Sequence, residues 1–61
     1  MQIILSKDLA KFKGVKIRSA QKEMNLIKDF YDKAPHQLVT SLEVAEYYDV
    51  PEDFLIQIIN A

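Results

Sequence analysis

The sequence predicts a mainly α-helical domain of four short helices, built as two tandem units of the same plan. Three observations predict it. Sliding the 61-residue chain along itself by 35 positions lays Gln2-Ile3-Ile4 on Gln37-Leu38-Val39, Asp8-Leu9-Ala10 on Glu43-Val44-Ala45 and Gly14-Val15 on Asp49-Val50 without a gap. The same shift matches Ser6 with Ser41, Phe12 with Tyr47, Ala20 with Leu55 and Met24 with Ile59. Apolar residues recur at helical spacing within each unit, and the lone glycine and the two prolines fall where that spacing breaks.

In order along the chain, Gln2-Ile3-Ile4-Leu5 is short and β-branched, which suits an extended segment. Ser6 is expected to cap the first helix, with Asp8 in its first turn favoured by the helix dipole. Leu9, Ala10 and Phe12 supply its apolar face, and Gly14 ends it in a left-handed conformation, with Val15 as an apolar plug. A longer helix opens near Lys16 or Ile17, its stripe running through Ala20, Met24, Ile27 and Phe30 or Tyr31. Ala34-Pro35-His36 stops it, because the residue before proline is pushed out of helical geometry. The second unit follows over 37–61. Gln37-Leu38-Val39-Thr40 repeats the extended segment, Ser41 the cap, and Val44, Ala45 and Tyr47 or Tyr48 the apolar face. Asp49, a residue type that tolerates left-handed φ, stands where the first unit (1–33) has glycine. The last helix begins about Pro51, with Glu52 and Asp53 in its first turn, and runs to Ile59. The two extended segments are placed to pair as a minimal two-stranded ribbon, Ile3-Ile4 beside Leu38-Val39.

So small a chain usually needs a staple, exceptional packing or a partner subunit. With no cysteine, disulfides and thiolate metal sites are excluded, and one histidine with scattered carboxylates makes no metal-ligand spacing, so no metal or cofactor is expected. The longest apolar run is too short to cross a bilayer, and Met1–Leu5 lacks the charged start of a signal peptide, which points to a cytoplasmic protein.

The net charge of −1 conceals a separation. All eight basic residues lie in the first 33 positions beside four acids, a net of +4; residues 34–61 hold five acids and neither Lys nor Arg, a net of −5. Such asymmetry marks an electrostatic footprint on one half.

A short helix, a turn with glycine and a second helix form the helix-turn-helix arrangement. The first unit, LSKDLAKFKGVKIRSAQKEMNLIKDF, resembles bacterial helix-turn-helix DNA-binding domains of the excisionase and MerR-like kind found on mobile elements. The resemblance rests on Leu9-Ala10, Gly14-Val15, Ser19-Ala20 and Met24, and it covers about residues 5–30. It implies close helix approach at Ala10, a glycine turn, Val15 as a plug, and a second helix anchored by Ala20 and Met24 that reads DNA. With Ala20, Met24 and Ile27 inward, Arg18, Gln21 and Asn25 project outward as candidate base contacts, since Arg pairs with guanine and Gln or Asn with adenine. Lys7, Lys11, Lys13, Lys16, Ser19 and Lys22 are candidate phosphate contacts, which contribute affinity and register but no sequence information. Glu23 and Asp29, on the same helix, must then point away from phosphates.

The second unit keeps the frame without bases on its last helix, so the fold carries over to it but the DNA contacts do not. Its last helix is more apolar than one core stripe requires. Leu55, Ile58 and Ile59 can face inward, leaving Phe54 and Ile56 as a candidate partner surface, for a second copy in a homodimer or for another protein. Two readings follow. One is a sequence-specific double-stranded DNA binder, a transcriptional regulator or excisionase-type factor; the other is a protein-interaction module or adaptor using the acidic half. His36 reads as a loop residue, Tyr31, Tyr47 and Tyr48 as half-buried helix aromatics, and the acid pairs Glu43/Glu46 and Glu52/Asp53 lack an accompanying nucleophile, so no enzyme is expected.

Overall fold

A computed structural model describes all residues, 1–61. The order is β1 (Ile3–Ile4), α1 (Ser6–Lys13), α2 (Ile17–Phe30), β2 (Val39–Thr40), α3 (Ser41–Tyr48) and α4 (Glu52–Ile59). The four helices hold 62% of the residues, so the chain is mainly helical, with one small antiparallel ribbon. The 35-residue phase is kept closely: α1 and α3 start and end 35 positions apart, and so do the starts of α2 and α4. Gly14 and Asp49 both take left-handed φ, 67° and 56°, closing α1 and α3 with backbone bonds to Ala10 and Ala45.

Ile3 pairs with Thr40 and Ile4 with Val39, so β2 lies one residue later than the Leu38-Val39 pairing expected from sequence. The inward position decides the register, since Ile4 and Val39 are both buried in the core while Leu38 is 58% exposed. A 35-residue shift sends Ile4 to position 39 and returns Val39 to position 4, so this pair is symmetric under exchange of the units. Ile3, Leu5 and Leu38 are exposed around the ribbon.

Ten apolar residues, at least one from every element, form a single core: Ile4, Leu9, Ala20, Met24, Ile27, Val39, Val44, Ala45, Leu55 and Ile59. Helix α1 packs against both α2 and α4, and α3 against α4 and the ribbon. The accessible surface of 4166 Å² is close to the ~4,100 Å² of an ordinary folded monomer of this mass. The two units therefore cover each other to a normal extent.

Several local expectations are corrected. The N-cap of α1 is Leu5, not Ser6, and the Leu5 N–H is satisfied by the Asp8 carboxylate at 2.9 Å. Thr40, not Ser41, caps α3: its hydroxyl accepts from the Glu43 N–H while the Glu43 carboxylate accepts from the Thr40 N–H, a reciprocal capping box. Ser41 instead is fully buried, accepting from the Gln2 N–H at 2.9 Å and donating to Glu52 at 2.6 Å. Val15 plugs nothing and lies exposed, and Ile58 is only half-buried. Of the pair at the end of the α2 stripe, Tyr31 turns inward and donates to the Glu43 carbonyl at 3.1 Å, while Phe30 is 68% exposed.

Glu43 makes α3 sensitive to acid. Burial would raise its carboxyl pKa, but the Thr40 N–H and the Lys33 ammonium at 3.1 Å outweigh that and lower it. A depressed folded-state pKa contributes stability above the unfolded value near 4.5, lost as pH falls through the folded value. Thermal unfolding is expected to show a steeper loss of midpoint below about pH 4.5 in the wild type than in Glu43→Gln, and parallel curves would exclude this role.

Candidate nucleic-acid interface

The turn between α1 and α2 is Gly14–Lys16, three residues long, as the helix-turn-helix arrangement requires. Ala20 is fully buried and Met24 nearly so, the two positions expected to anchor α2, while Ala10 is only partly buried against the core. Burial of Ala20, Met24 and Ile27 fixes the rotation of α2 and leaves Arg18, Ser19, Gln21, Lys22 and Asn25 exposed on the far side. None of these five side chains hydrogen-bonds or pairs within the protein. No acid occupies the first turn of α2 and no side chain caps it, so its N-terminal N–H groups and positive dipole end are unneutralised.

The eight basic side chains divide in half. Lys11 donates to the Ala61 carbonyl, Lys13 pairs with Glu23 at 3.4 Å, Lys28 donates to the Pro35 carbonyl at 2.7 Å, and Lys33 pairs with Glu43. The four without an internal partner are Lys7, Lys16, Arg18 and Lys22, which stand on α1, the turn and the first two turns of α2. Thus Lys11 and Lys13, both candidates for phosphate, spend their charge within the fold. Lys13 also lies 4.8 Å over the Tyr48 ring, and Tyr48 donates its hydroxyl to Glu23 at 2.9 Å. Burial, and then that hydrogen bond, hold the Tyr48 phenol above its ordinary range. Glu23 accordingly points into this cluster and away from the exposed face of α2.

Asp29 does not. It is exposed and continues the stripe of Arg18, Lys22 and Asn25 by one further turn, about 16 Å from Arg18 along the helix. A phosphate-facing surface on α2 therefore ends near Asn25. A shallow depression of about 300 Å³ lies at this end, lined by Asn25, Lys28, Asp29, Lys33 and Pro35.

On α4, Phe54 is 49% exposed and rests edge-on against Phe12, while Ile56 is half-buried. Two residues apart on a helix, they point about 200° away from each other and do not make one patch. His36 is exposed in the connecting segment. No three His, Cys, Asp or Glu side chains gather as a metal site, and no helix is long and apolar enough to cross a membrane. Sequence reasoning missed the buried Ser41 link and a continuous row of aromatic rings. The overlay of Phe12 on Tyr47 under the 35-residue shift was the one available signal for the row.

Compared with known proteins, the chain matches no family model, and no curated protein or solved structure is significantly similar to it.

Proposed function

We propose that this chain is a sequence-specific double-stranded DNA binder that lays the N-terminal half of α2 in the major groove. The observation that carries the reading is the confinement of every unpartnered cation, Lys7, Lys16, Arg18 and Lys22, to α1, the turn and the start of α2. Arg18, Gln21 and Asn25 are of the types that read guanine and adenine edges, and they stand in the half of the helix that reaches bases in such domains. Lys7, Lys16, Lys22, the Ser19 hydroxyl and the free N–H groups of α2 serve phosphates. The role is that of a small transcriptional regulator or excisionase-type factor working in the cytoplasm. Binding as a homodimer would present two such helices to successive half-sites.

A salt titration of duplex binding tests the proposal. Three lysine–phosphate contacts predict a log–log slope of about −2.7 per protomer, so affinity drops about 40-fold between 50 and 200 mM salt. Arg18→Ala is expected to cost ~1–3 kcal/mol and relax base preference, whereas Lys22→Ala lowers affinity on all sequences alike and reduces the slope by about 1. A flat salt response, or no duplex binding at low salt, sinks the proposal. The competing reading, an interaction module using the acidic half, is favoured by the exposed, unpaired Glu46, Asp49 and Asp53 on that half.

A further inference from the structure

All six aromatic rings of the chain join in one row. Tyr31 meets Phe30 at 5.0 Å between centroids, Phe30 meets Tyr47 at 5.4 Å, and Tyr47 meets Tyr48 at 5.1 Å. The row continues from Tyr48 to Phe12 at 5.9 Å and from Phe12 to Phe54 at 6.4 Å. Most of these contacts are edge to face, the arrangement favoured by ring quadrupoles. The row links α2, α3, α1 and α4, is half-buried through its middle, and is most open at Phe30.

At the Tyr48 position the row already holds a cation. The Lys13 ammonium stands over the ring, bonded to Glu23, which in turn accepts from the Tyr48 hydroxyl. Ring, carboxylate and cation form a closed group. The Phe30 end has the same parts except the last. Phe30, Tyr31 and Tyr47 pack edge to face. Glu46 lies beside Tyr47 and one turn along α3 from Glu43, whose carbonyl accepts from the Tyr31 hydroxyl; its carboxylate, after burial, also raises the Tyr31 phenol pKa. Glu46 is exposed and has no basic partner. The base on this side, Lys33, is already held by Glu43 at 3.1 Å and by the Leu38 carbonyl at 2.8 Å.

We propose that Phe30, Tyr31, Tyr47 and Glu46 form a docking site for an arginine or lysine side chain presented by a partner protein. A cation set over the exposed Phe30 ring gains from its quadrupole while donating to Glu46, as Lys13 does at Tyr48. The carboxylate at the site, Glu46, has no ion-pair partner, and the chain after Lys33 holds no Lys or Arg, so this surface favours a basic partner and repels a phosphate backbone. The free cations of a second copy, Lys7, Lys16, Arg18 and Lys22, belong to the proposed DNA face, which sets the partner apart from a homodimer mate.

Amide NMR of the full chain, titrated with a short blocked Gly/Ser peptide carrying arginines, tests the site. The expected result is saturable shifts centred on Phe30, Tyr31, Glu46 and Tyr47, with about tenfold weaker binding in either Phe30→Ala or Glu46→Gln. Both residues are exposed, so both variants are expected to fold, and both should bind duplex DNA as the wild type does. Failure here and failure of DNA binding are thus read separately. The proposal is overturned by an absence of binding, by shifts centred elsewhere, or by wild-type affinity in either variant. An equal response to a glutamate-bearing peptide also overturns it. Concentration-dependent shifts at the same residues without peptide would make the occupant a second copy, which likewise overturns it.

Discussion

Replacing Leu9 by alanine is expected to remove a large share of the stability of this domain. Leu9 is fully buried and is the only buried residue of α1, the helix that packs on both α2 and α4. Truncating such a leucine costs ~2–5 kcal/mol, through lost transfer energy and the cavity left behind. A domain of 61 residues has in total about 3–9 kcal/mol. Much of the population should therefore unfold near room temperature, and the urea midpoint should fall steeply or disappear. Ile17→Ala is the matched control, since Ile17 is half exposed at the start of α2 and its truncation should cost well under ~1 kcal/mol. Equal midpoints for the two variants would mean that α1 is not anchored as described. Because α1 carries the turn that orients α2, loss of Leu9 should also abolish the proposed duplex binding without touching any cation.

Ser41→Ala is expected to be the next most damaging change, for a different reason. Alanine differs from serine only by the hydroxyl oxygen, so no large cavity forms and no extra atom is forced into the site. The loss is polar: the Gln2 N–H and the Glu52 carboxylate both lose their hydroxyl partner in a site with no exposed serine surface. Each group left unsatisfied costs ~1–3 kcal/mol, with Glu52 toward the lower end because its side chain is 24% exposed and can turn to water. The N-terminal amine at 3.8 Å from Glu52 only partly offsets this, because it is an exposed, solvent-screened partner. Adding Glu52→Leu to Ser41→Ala should recover part of the stability, since removing both members of a polar contact costs less than removing one. Denaturant unfolding of the two singles and the double gives the coupling directly. Strict additivity would show that the hydroxyl does not link strand β1 to α3 and α4.

The contrast between these two residues shows what could be read from the chain. Leu9 was legible as core because its environment follows from helical spacing, and so were Ala20, Met24, Ile27, Val44 and Leu55. Gly14 and Asp49 were legible because a left-handed closure depends on one residue's own backbone. Ser41 was misread because Thr40 and Ser41 are both competent caps; the glutamate three residues on selects Thr40, a signal present in the sequence as Thr40-x-x-Glu43. At α1 no such signal existed, since a leucine occupies the cap position and Asp8 reaches back to its N–H. The positions of the bases were visible, but not which of them the fold consumes. Lys11 finds its acceptor 50 residues away and Lys13 finds a carboxylate on another helix, contacts that no local rule anticipates. The aromatic row is hidden for the same reason, as its links at Phe30–Tyr47, Phe12–Tyr48 and Phe12–Phe54 join different helices.

The Ile4–Val39 pair has a consequence for how such a protein can arise and diversify. A joint that maps onto itself when its two sides are swapped is the kind that lets identical molecules associate about a dyad. The exchange holds at this joint but not throughout, since α1 packs on α4 whereas α3 does not pack comparably on α2. The segment around Pro35 supplies the local concentration that two separate halves would have to reach in solution. Tethering frees each half from having to serve both sides of the contact. One lobe can then specialise in cations and the other in carboxylates, while the shared seam continues to hold them together.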